Sequence, residues 1–243
     1  MNDKKKYVLM CGGEYNEWET PKQLLKIKGE VLIERTIRQL KENGIKNIAI
    51  STNNRCFDYL GLEILKPKGH YIHGNVDKER VNSYYTWLNA YVPINEAVCY
   101  LHGDVYFSNN AIKTIVNTKI EDTMFFCTCD GTDKKRDPLN IKGREPFGYK
   151  VENYQVFQYA IKKIKQKIDE GFFKGYLPAL SWHLYRYLNG YNLMCHSCNY
   201  KDVNNIFKDP GDYIIIDDYT SDIDTKEDIE RLEKLGDEVV STL

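Results

Sequence analysis

Net charge is almost absent from this sequence: 34 Lys and Arg face 35 Asp and Glu, leaving −1 with histidine neutral. A general nucleic-acid binder carries a clear basic excess, so that class of partner is excluded. Long apolar runs are missing as well. The longest extend over a few residues, far short of the roughly 20 that a membrane-spanning helix needs. The basic start, Met1-Asn2-Asp3-Lys4-Lys5-Lys6, leads into a strand pattern without a cleavable apolar segment. No repeat, no low-complexity tract and no persuasive Ser/His/Asp or Cys/His set for nucleophilic catalysis is visible. Together these absences predict a cytoplasmic protein with no membrane span.

What is present suffices for a core. The chain has 243 residues, 42% hydrophobic and 28% charged, which fits one large α/β domain. Seven cysteines are an odd count, and most lie in or beside apolar stretches, the usual setting of reduced core thiols in a cytosolic protein. Cys127-x-Cys129 and Cys195-His196-Ser197-Cys198 lack the paired spacing near turns of a structural zinc site, and Cys127 follows Met124-Phe125-Phe126 in an expected buried strand.

Short apolar strands are expected at Lys6 to Met10, Ile48 to Ser51, Glu63 to Leu65, Ala97 to Leu101 and Thr123 to Thr128. Between them, Val31, Leu32, Ile33, Ile37 and Leu40 give a helical stripe stopped by Asn43-Gly44, and helices are expected over Arg80 to Ala90 and Ala111 to Val116. This alternation predicts an α/β three-layer sandwich: a mostly parallel, twisted, Rossmann-like sheet with helices on both faces. Ligands of such sheets sit outside the carboxyl ends of the strands. Gly12-Gly13, Thr52-Asn53 and Gly103-Asp104 all fall at expected strand ends and point to one crevice. The stretch Asp130 to Lys174 is basic, with 11 Lys and Arg against 7 Asp and Glu, whereas residues 209–238 hold 12 acids against 3 bases. Most of those charges are expected on solvated surface; within the acidic run, Ser221 to Asp228 has the form of a helix start with an Asp or Thr cap and acids in its first turn.

The first motif that bears on chemistry is Met10-Cys11-Gly12-Gly13 followed by Thr20-Pro21-Lys22-Gln23-Leu24-Leu25. A strand running into glycines lets backbone N–H groups approach a phosphate chain, and a nearby lysine adds a point charge. With the segment running on to Ile37, the chain resembles the nucleotidyltransferase family of glycosyltransferase A-like, nucleotide-diphospho-sugar transferase type fold. Its motifs are most similar to the cytidylyltransferases acting on methylerythritol phosphate or ribitol phosphate. The resemblance spans about residues 5–128 and 214–235. It implies that Cys11, Gly12 and Gly13 cradle the nucleotide and that Lys22 contacts the triphosphate. One element departs: the family's Gly-x-Arg stretch between the glycines and Pro-Lys is replaced by Glu14-Tyr15-Asn16-Glu17-Trp18-Glu19, so one family phosphate contact is absent or supplied elsewhere.

Gly74 to Ser83, with its Arg80-x-x-Ser83 spacing, is similar to the family segment that opens a helix beside the nucleotide; by itself it reads as a charged turn before a helix. Tyr100-Leu101-His102-Gly103-Asp104 ends an expected buried strand on an acid, a good place for Mg²⁺, and the family carries its first metal-binding aspartate there. Asp222-Ile223-Asp224-Thr225-Lys226-Glu227-Asp228-Ile229 is similar to the family's Asp/Asn-Thr-Pro-Glu-Asp-Leu element, which implies Asp224 as the second metal ligand. The methylerythritol-phosphate enzymes carry a lysine where this chain has Asp222, which argues against that specific substrate. Residues 130–205 match no motif and are expected to form an acceptor-binding insert within a single domain over residues 1–243. Arg136, Lys142 and Arg144 are its candidates for an acceptor phosphate, while His183 reads as packing.

The resemblance thus implies a Mg²⁺-dependent transfer of NMP from an NTP, with CTP favoured, to a small phosphorylated acceptor, with release of pyrophosphate. Thr52, Asn53, Arg80 and Ser83 supply the hydroxyl, amide and guanidinium groups that a cytosine edge requires. A homodimer is compatible with the family. Two alternatives stay open on the sequence. A glycosyltransferase of the same fold using a nucleotide sugar would show Asp-x-Asp where this chain has Asp104-Val105-Tyr106. A nucleotide-binding module without turnover would explain the altered loop.

Overall fold

The computed structural model describes residues 5–12, 18–68, 88–128, 145–172, 180–191, 193 and 213–235. Among them seven strands form one sheet in the order β10-β8-β9-β6-β1-β4-β5. β1 (Lys6–Met10) lies between β4 (Ile48–Ser51) and β6 (Val98–His102), parallel to both, and β5 (Glu63–Leu65) extends the β4 edge. β8 (Thr123–Cys127) and β10 (Tyr213–Ile215) are parallel to each other at the far edge. β9 (Pro146–Val151) separates β6 from β8 and runs antiparallel to both. The mostly parallel sheet expected from the alternation is therefore present, with one strand reversed.

Burial on both faces explains why β1 reads as an unbroken apolar run. Tyr7 and Leu9 pack with α1 (Leu32–Glu42) and α2 (Asn109–Asn117) through Ile33, Ile37, Leu40, Ile112 and Ile115. Val8 and Met10 face α3 (Tyr154–Asp169) and α4 (Leu180–Leu188) through Phe157, Ile161, Ile164, Leu184 and Tyr185. α1 ends where expected: Gly44 takes φ +84, a left-handed conformation that glycine adopts without strain, and its N–H reaches the Lys41 carbonyl at 2.9 Å.

Residues 130–205, expected as an insert, contain β9, which lies inside the sheet between β8 and β6, so part of that stretch belongs to the fold's framework. Pro146 and Gly148 interrupt the strand signal of Pro146-Phe147-Gly148-Tyr149-Lys150-Val151, and that is why the pattern conceals it. Gly148 is required there, because a Cβ would lie 2.1 Å from the Tyr100 carbonyl oxygen of β6.

Two small ribbons complete the carboxyl end of the sheet. β2 (Lys26–Ile27) pairs with β3 (Glu30–Val31), and β7 (Val105–Tyr106) pairs with β11 (Ser221–Asp222), both antiparallel. They are cemented to α5 (Lys226–Glu233) by a third cluster of Ile27, Leu32, Tyr106, Tyr219, Ile223, Leu232 and Leu235. Thr225 caps α5 in a full capping box with Asp228, as the Thr-x-x-Asp spacing implies. No helix among the described residues is long and apolar enough to cross a membrane.

Candidate active site

Strand register brings the three expected strand ends together. Met10 of β1 is level with Ser51 of β4 on one side and His102 of β6 on the other. Beyond that line the chains stay joined: Cys11 N donates to Ser51 O at 2.9 Å, Gly103 N to Met10 O at 3.0 Å and Thr52 Oγ1 to Cys11 O at 2.9 Å. Gly103 is needed for this approach. A Cβ there would sit 2.6 Å from Cys11 Sγ and 2.7 Å from Met10 O, closer than atoms tolerate. The missing side chain lets β6 turn against β1 and directs Asp104 into the crevice.

Lys22 meets that aspartate. Pro21 (φ −52°) leads into a short 3₁₀ turn, Lys22–Leu24, that carries the lysine inward until 1% of its side chain is exposed. Its Nζ lies 3.2 Å from Asp104 Oδ2 and 3.1 Å from Asp224 Oδ1. Two acids 120 positions apart in the chain are thus bridged by one ammonium, and their oxygens cannot be farther apart than those two contacts end to end. Asp224 arrives from the β7–β11 ribbon, where Ile223 N donates to the Asp104 carbonyl at 3.0 Å.

Two further carboxylates join the group, neither picked out as a site residue from the sequence. Asp222 is half-buried, and its Oδ1 is shielded from solvent without a hydrogen-bond partner among the described residues. Desolvation, then repulsion from Asp104 and Asp224, pushes its carboxyl well above the usual range, against the pull of Lys22. Glu145 is buried and accepts the Asp222 N–H at 2.7 Å. The reversal of β9 explains its place: the residue before an antiparallel strand lies at the same end as the carboxyl ends of its parallel neighbours. A lone acid in a basic stretch, one residue from Arg144, carries no local signal of this.

The neutral groups are as telling. Burial lowers the His102 pKa to about 4, with Asp104 opposing and Lys22 reinforcing the shift, so the ring is uncharged near neutrality. The Cys11 thiol is pushed well above its ordinary value by burial, then by Asp104, and is not a nucleophile at neutral pH. Cys127 is buried in β8.

Thr52 and Asn53 stand at the end of β4, lining a cleft of about 500 Å³ with Asn54, Arg55, Asp58, Ile64 and Lys66. The Thr52 hydroxyl is committed locally, donating to Cys11 O and accepting from Asn54 N at 3.1 Å. Asn53 donates to Pro67 O at 3.1 Å. Among the described residues, a Cβ at Gly12 would meet only the Ala90 Cβ, at 3.7 Å. Gly13, Arg80 and Ser83 lie outside the described residues, as do Arg136, Lys142 and Arg144. His183 is buried, as expected of a packing residue.

No group of three or more His, Cys, Asp or Glu among the described residues forms a ready-made metal cage. Asp104 Oδ2 and Asp224 Oδ1, which meet at Lys22, are nevertheless carboxylate oxygens, the chemistry of a hard cation. Mg²⁺ is ordinarily held by one or two carboxylates plus substrate phosphates and water, not by an all-protein cage. Asp104 and Asp224 fit that pattern.

No protein-family model matches the chain. A curated relative, the bifunctional IPC transferase and DIPP synthase of Aquifex aeolicus, is 43% identical over 53 residues, 20% of this chain and 12% of that protein. Among solved structures, the 4-diphosphocytidyl-2C-methyl-D-erythritol synthase from Anaerococcus prevotii superposes with a TM-score of 0.51 at 14% identity, covering 94% of this chain and 95% of its own. The Rv0371c protein from Mycobacterium tuberculosis gives the same TM-score of 0.51 at 14% identity, covering 97% and 100%. The chain shares the Rossmann-like fold of these proteins over nearly its whole length.

Proposed function

We propose that this protein is a Mg²⁺-dependent nucleotidyltransferase that moves a nucleoside monophosphate from an NTP, CTP by preference, onto a small phosphorylated acceptor. The observation that carries this reading is the buried Lys22 ammonium held between Asp104 and Asp224 at the carboxyl end of β6. A lysine and two acids at the mouth of an α/β sheet supply both signs of charge that a metal-bound triphosphate requires. The fold shared with a synthase named for a diphosphocytidyl product is in keeping with it.

In this reading the acceptor's phosphate oxygen attacks the α-phosphorus in line, forming the new P–O bond as the bond to pyrophosphate breaks. A phosphate monoester loses its second proton near pH ~6, so the nucleophile is already ionised. No general base is then needed, which agrees with a His102 whose lowered pKa of about 4 makes it a weak base and a Cys11 held protonated. Lys22 neutralises the triphosphate, and Asp104 and Asp224 would hold the metal, which would supply further positive charge against the phosphates. Gly12 and the Cys11 backbone line the approach. With the Thr52 hydroxyl tied to Cys11 O, reading of the cytosine edge falls to Asn53, Arg80 and Ser83.

The test is pyrophosphate release from each of the four NTPs with Mg²⁺ and a panel of small phosphomonoesters of choline, polyols and sugars. The expected result is turnover with CTP and at least one acceptor, abolished in Asp104→Asn. Thermal shifts larger for a purine NTP than for CTP would remove the base assignment. Nucleotide binding without pyrophosphate release in the presence of any acceptor would remove the transferase.

A further inference from the structure

Asp222 and Asp224 reach the crevice on a ribbon of only two residue pairs, Ser221 with Tyr106 and Asp222 with Val105. So short a ribbon does not fix its own register. Just before it, Asp218 is buried with a carboxylate engaged at both oxygens: Oδ1 accepts Thr220 N at 2.8 Å and Oδ2 accepts the Ser108 hydroxyl at 2.5 Å. Thr220 Oγ1 in turn accepts Ser108 N at 2.9 Å, and Ser108 Oγ accepts Ala111 N at 2.8 Å, capping α2. Ser108 follows Asp104 by four residues and Asp218 precedes Asp222 by four. The interlock therefore ties the two acid-bearing stretches together at equal distances from their acids, on the buried side of the ribbon.

We propose that Asp218, Ser108 and Thr220 are positioning residues that hold the Asp222–Asp224 stretch in register with Asp104, and through that register set metal affinity. The assignment rests on the metal role proposed for Asp104 and Asp224. A helix cap alone needs only the Ser108 hydroxyl. The clasp adds a buried carboxylate and two bonds between the segments, both donated by Ser108, and these act on the chain leading to the acids, not on the helix.

Two readouts test it, neither of them activity. Hydrogen exchange at the Ile223 amide, which donates to the Asp104 carbonyl, reports whether the stretches stay joined. Mn²⁺ binding followed by electron paramagnetic resonance reports the metal site. Asp218→Ala and Thr220→Val are expected to lose protection at Ile223 and to weaken Mn²⁺ binding about tenfold or more, the usual effect of removing an outer partner of metal ligands. Thr220→Ser, which keeps the accepting oxygen, is expected to restore both. Lys150→Met is the control for stability alone. Lys150 Nζ donates to the carbonyls of Ile115, Val116 and Thr118 at the other end of α2, so this variant is expected to melt lower with both readouts unchanged. Wild-type protection at Ile223 in Asp218→Ala would overturn the clasp. Lost protection with wild-type Mn²⁺ binding would overturn its role at the metal. A wild-type protein that binds no Mn²⁺ would remove the metal reading and that role with it, while exchange at Ile223 would still decide the clasp.

Discussion

Replacing Lys22 by Met tests the charge balance on which the proposed chemistry depends. The side chain is 1% exposed and its ammonium contacts Asp104 and Asp224, whose side chains are 15% and 50% exposed. At an effective dielectric constant of about 20, unit charges separated by the 3.1 Å seen here attract by about 5 kcal/mol before desolvation is counted. Much of that is recovered in the variant, because Asp224 can turn to water. Asp104 and Asp222 are more enclosed and keep the penalty of unbalanced carboxylates, so the net loss should fall at the low end for a broken buried pair, about 3 kcal/mol. For a chain of this size each kcal/mol shifts Tm by about 2–4 °C, so Lys22→Met should melt about 6–12 °C below wild type.

The variant should then respond to Mg²⁺ more than wild type does. A divalent cation bound at the acids restores the missing charge, and at about a hundred times its Kd it returns about 2.7 kcal/mol. In wild type the same cation competes with an ammonium already in contact with both acids, so the gain is smaller. Differential scanning calorimetry with and without Mg²⁺, on both proteins at matched ionic strength, reads the difference directly. If Lys22→Met melts with wild type, or if Mg²⁺ raises both proteins equally, the bridge is not the electrostatic centre argued here. Pyrophosphate release by Lys22→Met should fall by orders of magnitude whether or not Mg²⁺ restores the fold.

Asp104→Asn should lower pyrophosphate release at least about a hundredfold, since a lost metal contact removes several kcal/mol of charge stabilisation; Tm should hold, because the substitution also relieves repulsion on Asp222. Gly103→Ala should destabilise by about 1–3 kcal/mol, the usual range for overpacking, as its Cβ meets Cys11 Sγ and the Met10 carbonyl; chemical denaturation measures it, and an unchanged midpoint would show that the strand ends are not closely packed. Burial lowers His183 to a pKa of about 4 from an ordinary 6.5, with Arg186 adding to the shift, so the unfolded chain binds the extra proton between those values. Stability should therefore rise with pH from about 4 to about 6.5, and His183→Gln should lessen that rise in thermal melts, leaving the share of His102; an unchanged slope would refute the assignment.

Local sequence was enough for what depends on neighbours along the chain. Buried parallel strands read as apolar runs, so β1, β4, β5, β6 and β8 were legible, as were the Gly44 stop of α1 and the Thr225 cap of α5. Asp104 could be singled out because it ends a strand where ligands gather, and Lys22 because its Pro-Lys motif resembles that of the nucleotidyltransferases. Tertiary structure decided the rest. β9 enters the sheet between two strands it does not resemble, and only its antiparallel direction brings Glu145 to the crevice. Asp222 reads like any acid at a helix start, until the ribbon with β7 places it among Asp104, Asp224 and Glu145 and shields its Oδ1. The Thr52 hydroxyl looks available in sequence and is spent on the Cys11 carbonyl in space. Periodicity and caps are short-range properties that the chain carries in itself. Charge balance is a sum over groups more than a hundred residues apart, and its sign at any one carboxylate exists only once the fold has set the distances.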